Sequence, residues 1–245
     1  MYTRIYTDQT LQEQTTVELN SSASTHLLKV LRSPVGSTVV LFNGDGNNYI
    51  STLLSGTKRA ILNVENRSAG IPRSPNRITL FQGISRGDRM DFSVQKATEL
   101  GVSTIQPVLC EKGKVKIDGD RLEKKKRHWE AIAVSACEQC GRSDIPKILP
   151  TRALTQLLEP QALQTSLVLT FGDHPSLAER ALAAAGDISV LVGPESGLSE
   201  REIGLSISSG WLPCVLGPRI LRTETATITA LAILQHVHGD LSTYS

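Results

Sequence analysis

The chain has 245 residues, 40% of them apolar, and carries 26 Lys and Arg against 24 Asp and Glu for a net charge of +2. That length buries roughly 70 to 75 per cent of the unfolded surface, enough for one large domain or a small one beside a medium one. So small a net charge excludes capture of a polyanion by global attraction, and an anionic partner has to be met by a local patch.

The stretch 1–20 is polar, and with the four cysteines Cys110, Cys137, Cys140 and Cys214 it leads to the expectation of a reducing cytoplasm. No apolar run reaches the roughly 20 residues a bilayer-spanning helix requires, so no membrane role is expected. Up to about Gly70, short apolar pieces at 39–42, 49–54 and 60–64 alternate with turn-rich stretches such as 43–48, which predicts a small β-rich domain. Pro72 and Pro75 keep their preceding residues out of helix, so 71–76 reads as a linker and the domains are expected at 1–72 and 73–245.

Beyond the linker, segments 78–82, 104–109, 167–171, 188–192 and 212–216 are apolar on successive residues, as a largely parallel sheet covered on both faces requires. Between them Asp88 reads as the N-cap of a helix to Leu100, with Gly101 as its C-cap. Leu122, Trp129, Ile132, Ala133, Ala136, Cys137 and Cys140 recur at helical spacing and describe a second helix with one buried face. A third helix starts at Ser199, three residues before Glu202 in capping-box spacing, and a fourth runs from about Glu224 to His238.

Open α/β sheets bind ligands at the carboxyl ends of their strands, and two segments there stand out. Leu191-Val192-Gly193-Pro194-Glu195-Ser196-Gly197-Leu198-Ser199 runs from strand through a small-residue turn into a helix start, where backbone approaches a ligand closely. On spacing alone an ordinary strand-to-helix turn is the favoured explanation. Leu216-Gly217-Pro218-Arg219-Ile220-Leu221-Arg222-Thr223-Glu224-Thr225-Ala226 repeats that grammar with added charge. Glu224 gains about 0.3–1 kcal/mol from the helix dipole whatever else it does, whereas a cation at Arg222 opposes that dipole and has no such local reason to be there.

These two runs, with Ser85-Arg86-Gly87-Asp88-Arg89-Met90-Asp91-Phe92, Gln95-Lys96, Glu99-Leu100-Gly101-Val102 and Ala136-Cys137-Glu138-Gln139-Cys140-Gly141-Arg142, resemble the 16S ribosomal RNA uridine-N3 methyltransferase family. Arg4-Ile5-Tyr6 and Val30-Leu31-Arg32 join the resemblance, which covers nearly the whole chain in order. It implies an α/β fold: a C-terminal SPOUT domain, trefoil-knotted, with a mostly parallel sheet and helices on both faces, after an N-terminal PUA-like β-barrel. It implies S-adenosylmethionine as cofactor and N3 of a specific uridine in the 16S ribosomal RNA of the small subunit as target. It also implies a homodimer in which each active site is completed near the partner subunit. Carried over by position, Thr170, Phe171, Gly193, Pro194, Glu195, Gly197, Leu216, Gly217, Ile220, Leu221 and Thr225 are the expected cofactor-binding residues. The chain departs from the family at Ser196, where a glycine is common; if that position needs positive φ, serine costs on the order of 1 kcal/mol.

Uridine N3 is a poor nucleophile until its imide proton leaves, so the enzyme has to favour the anion while holding N3 in line with the methyl. Arg222 is the expected catalytic cation for the developing charge. Glu224 is the expected proton acceptor, with helix capping as its standing alternative. For RNA the resemblance marks Arg4, Arg32, Arg86 and Arg142, which would neutralise phosphates or stack on bases. The basic run 111–127, including Lys112, Lys114, Lys116 and Lys124 to Arg127, reads more simply as a solvated face, and Tyr6 and Phe42 more simply as core. Cys137 and Cys140 form a lone CxxC on a buried helical face and no histidine shows ligand spacing, so no metal is expected. A catalytic RNA methyltransferase is favoured over an RNA-binding protein without catalysis, whose cofactor turns would be damaged, and over a small-molecule α/β enzyme, whose activity would not respond to salt.

Overall fold

The structure is a computed structural model that describes residues 2–113, 119–158 and 164–242. The chain divides into two compact units, one of Met1–Arg73 with Val134–Ile145 and one of Ser74–Ala133 with Pro146–Ser245. The first unit thus includes a piece, 134–145, that the linker reading assigned to the second domain.

In the first unit, β1 (Thr3–Tyr6), β2 (Thr15–Glu18), β3 (Thr38–Phe42), β4 (Asn47–Gly56) and β5 (Ala60–Ala69) form one sheet in the order β1-β3-β4-β5-β2. All neighbours are antiparallel except β1 with β3. Alternate residues Ile5, Val17, Leu41, Leu53, Leu62 and Val64 turn to one side and fill the core. β1 and β2 were not anticipated, because strands of four residues show too little alternation to register as a period. The stretch 43–46 turns the chain with Gly44 and Gly46 at φ 92°, as its composition suggested. A short helix α1 (Ser21–Thr25) is capped by Asn20, whose side chain accepts from Ala23 N–H at 2.9 Å.

In the second unit, β6 (Ile78–Gly83), β7 (Thr104–Leu109), β8 (Lys147–Ile148), β9 (Arg152–Ala153), β10 (Gln164–Leu169), β11 (Asp187–Val192) and β12 (Leu212–Cys214) form a sheet in the order β12-β10-β11-β6-β7-β8, with β9 also on β7. Every pairing is parallel. The helices are α2 (Asp88–Glu99), α3 (Gly119–Cys140), α4 (Leu177–Ala183), α5 (Glu200–Ser208) and α6 (Thr223–His238), with the last seven residues of α3 counted in the first unit. Phe81, Val108, Val168, Leu191, Leu198 and Trp211 pack as a core on the sheet, with the Phe81 and Trp211 rings edge to face at 5.1 Å.

Three local expectations are corrected. Gly87, not Asp88, is the N-cap of α2: its φ of 57° is a turn into the helix that a side chain resists, and Asp88 falls into the first turn where the dipole favours it. β12 stops at Cys214 instead of Leu216, because Val215 leaves the edge to bridge Ser176. α4 was not anticipated at all, although Ser176 and Glu179 spell its capping box. Ser199 with Glu202 caps α5 as expected. Among the described residues no helix is long and apolar enough to cross a membrane.

Within the first unit Arg142 and Asp144 form a buried bidentate pair, Nη2 to Oδ2 at 2.8 Å and Nε to Oδ1 at 3.2 Å, with side chains 9% and 15% exposed. Burial opposes the guanidinium's charge, and the carboxylate beside it more than offsets this and raises its pKa. Asp144→Ala strands that charge and is expected to cost about 3 kcal/mol, read as a lower midpoint in urea unfolding.

Candidate functional site

A cavity of about 350 Å³ opens at the carboxyl ends of β10, β11 and β12. Leu169, Thr170 and Phe171 leave β10 along one wall; Val192 to Leu198 leave β11 along another; Leu216, Gly217, Arg219, Ile220 and Leu221 follow β12 and close the site. Thr223 and Ala226 of α6, Ile203 of α5 and Lys112 complete the lining.

The turn after β11 lies against β6 because Gly83 has no side chain: a Cβ there would stand 2.5 Å from Pro194 N and 2.8 Å from the Gly193 carbonyl carbon. Gly197 takes φ 71° and lets the turn re-enter towards α5. Ser196 does not take a positive φ, so the strain considered for it does not arise. Its hydroxyl donates to the Lys112 carbonyl at 2.9 Å and ties the turn to a segment distant in sequence.

Polar groups fix the start of α6 behind the cavity. Gln82 Nε2 donates to Thr223 Oγ1 at 3.1 Å, and Thr223 Oγ1 donates to the Gly193 carbonyl at 2.6 Å. Thr227 Oγ1 lies 2.6 Å from Gln82 Oε1 and 2.9 Å from the Thr223 carbonyl. Gln82, Thr223 and Thr227 are all buried, so these bonds form in a low dielectric where each is strengthened and none is easily given up.

Of the expected cofactor-binding residues, Thr170, Phe171, Gly193, Pro194, Glu195, Gly197, Leu216, Gly217, Ile220 and Leu221 all line this cavity, and Thr225 does not. Helical spacing gives the reason: Thr223 and Ala226, three apart, share the inward face, and Thr225 stands exposed off it. That same spacing was the signal for Thr223 and Ala226, which were missed. Nothing in the sequence announced Lys112, since its place depends on how distant segments fold together. Glu195 Oε1 accepts from Arg86 N–H at 3.0 Å and sits 3.4 Å from the Arg89 guanidinium. Burial would raise its pKa, but the Arg86 bond and the nearby cation hold the carboxyl below its ordinary value.

Arg222 is the N-cap of α6, extended at φ −65° and ψ 153°, with its side chain exposed and outside the cavity lining. Glu224, in the first turn, lines a shallow groove on another side of the helix with Asp91, Phe92, Gln95 and His128. Its Oε2 is buried there without a hydrogen-bond partner, while His128 Nε2 and Asp91 Oδ2 pair at 2.8 Å.

The arginines marked for RNA separate into two kinds. Arg4 donates to Asn48 Oδ1 at 2.9 Å, the Arg142 carbonyl at 3.0 Å and Ser143 Oγ at 2.8 Å, with its guanidinium 5.0 Å from the Phe42 ring centre. Arg142 is held by Asp144. Arg32, at φ 52°, and Arg86 are exposed. In the basic run, Lys114, Lys116 and Asp118 lie outside the described residues, Lys126 pairs with Glu130 at 2.7 Å, and Lys125 stands 5.7 Å from the Trp129 ring centre. Phe42 is buried core, and Cys137 is a buried thiol whose pKa burial pushes up to about 12. Among the described residues no group of three or more His, Cys, Asp or Glu is placed to hold a metal.

A family model for RNA methyltransferase domains matches residues 72–235. The chain is 36% identical to ribosomal RNA small subunit methyltransferase E of Buchnera aphidicola (subsp. Schizaphis graminum), covering 98% of each chain. A putative methyltransferase of Legionella pneumophila, solved with bound S-adenosylmethionine, is 37% identical with a TM-score of 0.94 over 98% of this chain and 100% of that one. Ribosomal RNA small subunit methyltransferase E of Neisseria gonorrhoeae, also solved with S-adenosylmethionine, is 36% identical with a TM-score of 0.91 over 98% of this chain and 100% of that one.

Because the atoms nearest a Cβ at position 83 are the Pro194 ring and the backbone of Gly193 and Pro194, none of which can swing aside, Gly83→Ala has to push that corner outward. The expected cost is about 1–3 kcal/mol, seen as a lower melting temperature, and Thr79→Ala on the same strand serves as the comparison.

Proposed function

The chain belongs to the family of small-subunit ribosomal RNA methyltransferase E, an S-adenosylmethionine-dependent RNA methyltransferase family, and we propose that it methylates N3 of a specific uridine in 16S ribosomal RNA. The observation that carries this reading is the cavity at the strand ends, whose two turns supply nearly every residue expected to hold the cofactor. About 350 Å³ lies within the range of small-ligand sites, and the missing side chain at Gly83 lets the Gly193–Pro194 corner of its wall seat against β6.

Bound there, S-adenosylmethionine supplies an electrophilic methyl on a cationic sulfur. The turns 193–198 and 216–221 would hold it and shield it from water. Arg222, exposed at the head of α6, meets the uracil oxygens as N3 loses its proton and negative charge spreads onto them. Glu224, in the first turn of α6, takes that proton; its Oε2 has no hydrogen-bond partner and so has a lone pair open to accept one.

The first unit reads as the PUA-like barrel that binds RNA. Arg32 of this unit and Arg86 of the second unit reach phosphates from exposed positions, while Arg4 and Arg142 shape the first unit's RNA-facing surface through their internal bonds. The exposed apolar side chains Phe171 and Ile220, 64% and 87% accessible at the cavity rim, support a homodimer that covers them beside the active site. A trefoil knot fits the path of the chain: β12 is an edge strand, yet α6 bonds to Gln82 on β6, so 215–222 has to return past the ends of β10 and β11 where the 193–198 turn lies.

The reading is tested by deleting the gene, digesting 16S ribosomal RNA to nucleosides and measuring 3-methyluridine by mass spectrometry. The expected result is loss of the nucleoside and its return with the wild-type gene; an unchanged level would overturn the target. Purified Arg222→Ala is expected to keep its affinity for S-adenosylhomocysteine while kcat falls about a hundredfold or more. Normal turnover in that variant would remove Arg222 from the chemistry.

A further inference from the structure

Lys112 lines the cofactor cavity although it follows β7 and belongs to neither turn of the site. Its backbone is fixed from several directions. Ser196 Oγ donates to its carbonyl at 2.9 Å, Glu111 N–H donates to the buried Glu202 Oε1 at 2.8 Å, and Gly113 N–H closes a turn on the Cys110 carbonyl at 2.9 Å. Glu111 itself accepts from Ser199 Oγ at 2.6 Å and pairs with Arg201. A backbone so held keeps Lys112, itself exposed, beside the 193–198 turn on the cavity wall.

The charge balance of the wall says what that ammonium is for. Among the described lining residues the charged side chains are Lys112, Arg219 and Glu195, and Glu195 is already satisfied by the Arg86 N–H and the Arg89 guanidinium. S-adenosylmethionine carries one anionic group, the carboxylate of its methionyl end; its sulfonium and amine are cationic and its adenosine neutral. A cation on the wall therefore has one attractive partner in this ligand.

We propose that Lys112 binds the methionyl carboxylate of the cofactor, and that Ser196, whose hydroxyl bonds the Lys112 carbonyl, is the strut that holds it there. The proposal rests on the S-adenosylmethionine reading above and assigns a specificity-determining residue within it. It makes the enzyme discriminate between cofactor forms by a single charged group at the end remote from the adenine.

The test uses two ligands that differ only in that group, S-adenosylmethionine and decarboxylated S-adenosylmethionine, titrated calorimetrically into the full-length wild type and Lys112→Met, which keeps the length of the stem and removes the charge. Wild type is expected to prefer the carboxylate form, and Lys112→Met to lose about tenfold in affinity for it while binding the decarboxylated form unchanged. Ser196→Ala should weaken S-adenosylmethionine in the same selective way but less. Equal weakening of both ligands in Lys112→Met would mean that the stem acts by packing and would overturn the proposal, as would no weakening of either. Failure of the wild type to bind either ligand would sink the cofactor reading itself, an outcome separate from the other two.

Discussion

The second unit depends on one buried set of hydrogen bonds, that of Gln82, Thr223, Thr227 and the Gly193 carbonyl. β12 ends the sheet at its edge, and α6, the next element, starts over β6 near the centre. The chain between them has to turn back over two strand ends, an arrangement that local propensity does not favour. What makes it definite is that the amide of Gln82 finds partners on α6 and that Thr223 in turn satisfies a carbonyl of the turn after β11. An unsatisfied buried amide or hydroxyl costs about 1–3 kcal/mol, so moving α6 away exposes several such losses at once. The wall of the cavity formed by 216–221 is therefore held at both ends, by the bridge of Val215 to Ser176 and by the seat of Thr223.

How much of this was legible follows from what each feature depends on. The four long strands of the parallel sheet, the short edge strand β12 and the helix of Trp129 showed in the sequence because burial on both faces, or on one stripe, imposes an apolar pattern that a window can read. α4 was spelled by a capping box but carries too few turns for a period, and β1 and β2 owe their existence to pairing with β3 and β5 more than to their own residues. Of the residues expected to hold the cofactor, those on the two contiguous turns line the cavity, while Thr225 lies off it because contiguity does not survive entry into a helix, where neighbours in sequence point about 100° apart. Lys112 was invisible for the opposite reason: it reaches the cavity from another strand.

Ser196 shows why a departure from a family pattern has to be judged in three dimensions. A glycine is demanded where φ is positive or where a Cβ finds no room, and in this turn those demands fall on Gly197 and on Gly83 across from it. Position 196 is under neither. A serine there costs no backbone strain and gains a bond to the Lys112 carbonyl, so the substitution adds a tie between two segments that glycine leaves separate.

The arginines of the first unit carry a related lesson about charge. A basic residue found in an RNA-binding family invites the reading of a phosphate contact, but a guanidinium has five donors and in a compact unit it is equally suited to tying carbonyls and side chains together. Arg4 uses that fork on Asn48, Ser143 and the carbonyl of residue 142, and Arg142 uses its own on Asp144. Arg4's bonds join β1 to residues 142 and 143, just after α3, and so help hold that piece in the first compact unit. Arg32 of the same unit and Arg86 of the second unit, by contrast, are exposed to solvent. Salt separates the two modes, because a phosphate contact weakens binding as its counterions are restored and a shape-holding ion pair inside the unit does not.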